Sequence, residues 1–164
     1  MARDFKEVWF VDFEFRAPDG ENPEPRCMVA YGLHSKTLKR IWLQGIKGGQ
    51  SPVDLGDESL YVAYYASAEM GCHLSLDWPL PENLLDLFVE FRVHMNGFNP
   101  QGGFGLLGAM SSFGLGHMAP STKDSMRELA MREGDYTSDE KEALMDYCEE
   151  DVRSLVVLYS KMSH

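Results

Sequence analysis

The first hydrophobic run, Val8-Trp9-Phe10-Val11-Asp12-Phe13-Glu14-Phe15, is β-branched and aromatic, which predicts a strand. Its two faces differ. Trp9, Val11, Phe13 and Phe15 make one wholly apolar face, while Val8, Phe10, Asp12 and Glu14 share the other. Segment 16–26 holds three prolines and Gly20 and reads as a loop. Cys27 to Leu33 reads as a second strand and Lys39 to Leu43 as a third, the three pairing as a meander; 46–57 is Gly- and Pro-rich connection. Leu60 to Tyr64 is a short buried strand. Ala66 to Trp78 reads as a helix despite Gly71, and Leu84 to Phe88 as a short strand running into a helix near Arg92. After a loop over 96–105, Leu106 to Phe113 is a short helix stopped by Gly114. Thr122 is positioned to cap a helix ending near Glu133, with Gly134 just beyond it. Thr137-Ser138-Asp139-Glu140 is a capping box opening a last helix that runs to about Lys161. A meander followed by strands alternating with helices predicts a mixed sheet flanked by helices, an α/β or α+β fold. The whole chain, 1–164, reads as one domain without internal repeats.

Composition narrows the classes. A hydrophobic content of 44% suffices for a real core, yet no stretch approaches the ~18–20 apolar residues of a membrane helix. The first residues carry no apolar run with a small-residue cleavage site, so no secretory signal is expected. Cys27, Cys72 and Cys148 are widely spaced and odd in number, with no C-x-x-C pair. That predicts reduced thiols in a cytoplasmic protein and argues against zinc. A formal charge of −11 runs against a nucleic-acid partner, because phosphate backbones select basic faces. The exception is a protein whose acids converge on cations, since the metals then carry the charge that the substrate meets. Such acidity also suggests that affinity for long DNA comes from a neighbouring domain.

Three elements carry candidate chemistry. Asp12 and Glu14, side by side on a hydrophobic strand, repel one another and cost desolvation energy unless paired; a hard divalent cation is a natural partner. An edge strand with its polar face in water gives the same pattern. On the last helix Leu144, Cys148, Asp151 or Val152, Leu155 and Tyr159 fall on one apolar stripe, with Tyr147 one turn before Asp151 on the same side. An ordinary core tyrosine beside a solvated aspartate would also fit. Glu69 opens the helix that follows a buried strand, where the helix dipole favours an acid and where open α/β sheets carry functional residues. Gly103-Phe104-Gly105-Leu106-Leu107-Gly108 matches the dinucleotide pattern G-x-G-x-x-G, but no strand precedes it, which argues against that use. His73 beside Cys72 reads as part of a packed helix rather than as a ligand.

D-x-E on the first strand, an acid opening a mid-chain helix and Y-x-x-x-D on the last helix together resemble the DEDD 3′→5′ exonucleases of the RNase H-like superfamily. The tyrosine variant is most similar to the proofreading exonuclease domain of family A DNA polymerases, over about residues 8 to 160. The resemblance implies a five-stranded mixed sheet and two Mg²⁺ or Mn²⁺ ions. It further implies that Asp12 bridges both ions, that Glu14 and Asp151 complete the tighter site, that Glu69 contacts the second ion and that Tyr147 orients the attacking water. The second motif departs from the usual pattern: Tyr65 and Glu69 stand where Asn and Asp are common, and Glu has a longer arm. Asp86 is the other candidate for that acid. Phe15 and Tyr65 are candidate stacking contacts for a terminal base or sugar, while Arg16 and Arg92 read as solvated surface. The expected activity is stepwise hydrolysis of single-stranded or frayed DNA 3′ ends, next to a polymerase domain or partner and away from membranes. The rival readings are a weakened or non-catalytic domain that kept the fold for binding or scaffolding, and an RNA-directed exonuclease.

Overall fold

A computed structural model describes residues 4–18, 20–116 and 120–162, without the side chains of 120–123. The alternating aromatic run forms β1 (Glu7–Arg16), which pairs antiparallel with β2 (Glu24–Gly32); β2 pairs antiparallel with β3 (Leu38–Trp42). On the other side of β1 lies β4 (Ser59–Ala63), parallel to it, and then β5 (Leu84–Asp86), parallel to β4. The sheet order is therefore β3-β2-β1-β4-β5, a mixed five-stranded sheet with β1 at its centre.

Both faces of this sheet are covered, because strand alternation on β1 and β2 gives each face its own apolar set. Trp9, Val11, Phe13, Met28 and Ala30 bury against Cys72 of helix α1 (Ser67–Ser75), against Leu76 just past its end and against Trp78. On the opposite face Val8, Phe10, Cys27 and Val29 bury against Leu144, Cys148, Val152 and Leu155 of helix α5 (Ser138–Met162). Helices α2 (Leu87–Met95), α3 (Leu106–Ser112) and α4 (Pro120–Met131) join this second layer through Phe91, Ala109 and Ala130.

Local signals fixed most boundaries. The capping box opens α5: the Thr137 amide donates to Glu140 Oε2 at 2.8 Å and the Glu140 amide to Thr137 Oγ1 at 3.2 Å. Elsewhere the chain departs from expectation. The helix expected to start at Thr122 begins at Pro120, whose ring presets a helical φ and whose missing N–H leaves no donor stranded; the Thr122 side chain lies outside the described residues. Helix α1 ends at Ser75, three residues before Trp78, after which Asp77 turns with φ +54° and Trp78 folds back into the core. Strand structure also reaches into 16–26 at both ends. A register shift after Glu14 sets Phe15 opposite Pro25 and leaves Arg26 between pairs, a bulge that absorbs the proline.

Candidate metal centre at the meeting of β1 and α5

Asp12 and Glu14 continue the Val8–Phe10 face of β1, so they point to the layer that holds α5. The buried stripe of α5 runs through Leu144, Cys148, Val152 and Leu155, which settles the Asp151 or Val152 alternative: Val152 enters the core and Asp151 lies beside it. One ligand oxygen each from Asp12, Glu14 and Asp151 lies within 4.8 Å of the others. Three carboxylates this close repel strongly unless a cation joins them, and oxygen donors suit a hard divalent ion. The set therefore fits one such ion.

Tyr147 sits one turn before Asp151 and is buried. Burial raises its phenol well above the usual tyrosine range, and the charges of Asp151, Glu14 and Asp12 raise it further. At neutral pH it is a hydroxyl donor beside the cluster, never a base.

Glu69 stands apart from the three. It lies in the first turn of α1, is only 3% exposed, and its Oε2 has no hydrogen-bond partner among the described residues. Burial, followed by the charge of Asp12, raises its carboxyl well above the usual range. The side chain is thus a desolvated acid next to Asp12, held on the α1 side of the sheet end. That buried oxygen without a partner is costly to the fold, and Glu69 lies outside the group formed by Asp12, Glu14 and Asp151.

Asp86 has a different task. Its Oδ1 accepts from the Tyr65 and Phe88 amides and its Oδ2 from the Ala66 amide, each at 2.9 Å. It caps α2 and pins the turn between β4 and α1, so its oxygens are occupied by backbone. That turn needs pinning, because Tyr65 adopts φ +67°, a left-handed conformation uncommon for a bulky residue. The Tyr65 ring is 54% exposed and meets Phe88 edge-on at 5.0 Å between centroids. Phe15 is half-buried against the cluster beneath α1, and Arg16 pairs with Glu24 and Glu133.

Cys148 is a contact that sequence reasoning treated only as core. Its Sγ lies 3.2 Å from both the carbonyl oxygen and Oδ2 of Asp12, within donating distance of each. Burial keeps the thiol protonated, since its ionisation is pushed far up, so Cys148 is a neutral donor to a charged neighbour. The signal was present: Cys148 precedes Asp151 by three residues, on the same side of a helix. His73 is satisfied within the core, with Nδ1 2.8 Å from the Pro79 carbonyl and Nε2 3.2 Å from the Tyr61 hydroxyl. The glycines of the G-x-G-x-x-G stretch have steric reasons. Gly103 turns at φ +73°, and a Cβ on Gly108 would stand 2.0 Å from the Gly103 carbonyl oxygen. Among the described residues no helix is long and apolar enough to cross a membrane.

No protein-family model and no curated protein matches the chain. Solved structures do. One described as the apo form of a nuclease superposes with a TM-score of 0.67 at 13% identity, covering 97% of this chain and 72% of that one. The Aedes aegypti Nibbler EXO domain superposes with a TM-score of 0.52 at 11% identity, covering 95% of this chain and 80% of that one. At such identities the likeness speaks for the architecture: a mixed five-stranded sheet between helices, in an RNase H-like fold.

Proposed function

We propose that the chain is a metal-dependent 3′→5′ exonuclease that hydrolyses the terminal phosphodiester of DNA and releases nucleoside monophosphates, in proofreading or end trimming. The observation that carries this reading is the convergence of Asp12, Glu14 and Asp151 within 4.8 Å at the end of the central strand. The nuclease descriptions of two fold neighbours support it, as does the order of the D-x-E and Y-x-x-x-D motifs. Asp12, Glu14 and Asp151 would hold one Mg²⁺ or Mn²⁺, and Glu69 with Asp12 a second. Such ions, when bound, supply charge neutralisation at the scissile phosphate and an activated water.

The remaining work belongs to the chain. Tyr147, held protonated, donates its hydroxyl hydrogen bond to a water beside the carboxylates and so orients it. Cys148 donates to Asp12 and fixes its rotamer. Tyr65, exposed beyond β4, offers a ring on which a terminal base or sugar stacks. Because the chain carries −11, grip on long DNA falls to a polymerase domain or partner rather than to this surface.

The test is digestion of matched single-stranded DNA and RNA with labelled 5′ ends, in Mg²⁺ and in Mn²⁺. A ladder shortening from the 3′ end on DNA is expected, and Asp12→Ala should abolish it with little change in thermal stability. Full activity in that variant over a clean background would overturn the reading.

A further inference from the structure

A second feature lies in the same layer as the carboxylates but has taken no part so far. The Arg92 guanidinium, on α2, lies over two rings, 5.7 Å from the centroid of Phe88 and 4.9 Å from that of Phe104. It is solvent-exposed, and among the described residues no carboxylate pairs with it. This is a contrast within the chain, where Arg16, Arg26, Arg40, Arg132 and Arg153 each contact at least one acid. In a protein of net charge −11, an arginine left to stack on rings rather than pair is a local exception. Stacking fixes the guanidinium plane and leaves its N–H edge free for an anion.

The stack is tied to the site. Phe88 meets both Tyr65, at 5.0 Å, and Tyr64, at 5.9 Å, edge-on. The Tyr64 hydroxyl donates to the Phe104 carbonyl, which fastens the loop carrying Phe104 to the end of β4. Phe88 also begins the helix capped by Asp86, whose carboxylate holds the Tyr65 and Ala66 amides. Strand β4 runs parallel to β1, with Val62 opposite Phe10, so Tyr64 and Tyr65 leave the sheet at the end where Asp12 and Glu14 stand. Tyr64 and Phe104 pack into the same cluster as α5. A row of Tyr65, Phe88, Arg92 and Phe104 thus leads away from the carboxylates on their own side of the sheet.

We propose that this row is the path of the single strand entering the site, with Arg92 binding a backbone phosphate upstream of the scissile bond and Tyr65 a stacking surface for a base. The inference rests on the exonuclease reading above. Its chemistry is the pairing used by single-strand sites: a cation for the phosphate and rings for the bases.

Two substrates separate the inference from that reading. The p-nitrophenyl ester of thymidine 5′-monophosphate has no upstream strand and reports the carboxylate site alone. A labelled single-stranded DNA oligonucleotide reports both. For Arg92→Gln, KM on the oligonucleotide should rise about tenfold with kcat held, ester hydrolysis should match wild type, and the slope of log affinity against log salt should fall by about 0.7. Arg92→Lys, which keeps the charge but not the planar fork, should fall between the two. Wild-type KM and salt slope in Arg92→Gln would overturn the inference and leave the exonuclease reading standing. Equal loss on both substrates would assign Arg92 a structural role and also overturn it. Hydrolysis of neither substrate by the wild-type chain would remove both proposals.

Discussion

At the scale of single residues, the site depends on groups that hold the carboxylates as much as on the carboxylates themselves. The Cys148 thiol lies 3.2 Å from Asp12 Oδ2, and a buried neutral donor of this kind fixes a ligand's orientation without adding charge. Cys148→Ala removes the donor and should lower kcat/KM by about tenfold, whereas Cys148→Ser keeps an O–H and should retain most activity. Steady-state digestion by the two variants, beside their thermal midpoints, separates lost orientation from lost packing. Glu7 makes a different residue-scale case. Burial pushes its carboxyl up, but hydrogen bonds from His34, Ser35 and Val8 outweigh that and hold it at about 2. A depressed carboxyl contributes stability above its unfolded value of 4.5 and loses it as pH falls towards about 2. Acid unfolding monitored by circular dichroism should therefore show a steep limb in that window, flattened in Glu7→Gln.

Between elements, the turn from β4 into α1 is the joint on which the reading of Glu69 and Tyr65 rests. Asp86 accepts two backbone N–H groups there and a third at the start of α2, so Asp86→Ala strands three donors and should cost about 2–4 kcal/mol. Asp86→Asn keeps one acceptor oxygen and should cost less. Denaturant midpoints measure both, and activity should fall further than stability in each variant, since Tyr65 and Glu69 both depend on that turn. This joint also marks where sequence reading stopped. Alternation along β1 and the capping box at Thr137 are local signals, and both appear as expected. Two of the three bonds to Asp86 reach back 20 and 21 residues to the β4 turn, a pairing that no periodicity encodes. The start of α4 at Pro120 has another cause: the proline's fixed φ opens the helix two residues before the threonine that the sequence offers as a cap. The steric reason for the glycine motif, a close approach of Gly108 to the Gly103 carbonyl, exists only in three dimensions.

For the whole molecule, the decisive quantity is charge against charge. The fold class was legible because three strands and then alternating helices leave few arrangements, and the acids on β1 and α5 were legible because each sits on a periodic element. The burial of Glu69 was not, because it depends on the sheet end that α1 closes. Without cations the site is costly: carboxylate oxygens of Asp12, Glu14 and Asp151 gather within 4.8 Å in a chain of net charge −11, a standing repulsion beside the desolvated Glu69. A ligand that binds only the folded state stabilises it by mass action, about 2.7 kcal/mol at a hundredfold excess over Kd. For a chain of this size that corresponds to a rise in Tm of about 5–10 °C. Mn²⁺ or Mg²⁺ should therefore raise the melting temperature of the wild-type protein at constant ionic strength, and Asp12→Ala should remove the rise. The same variant without metal should melt no lower than wild type, because it has lost a repelling charge. A shift of equal size in Asp12→Ala, or one reproduced by matched NaCl, would mean that the ion answers the general acidity of the surface and not the cluster at the end of β1.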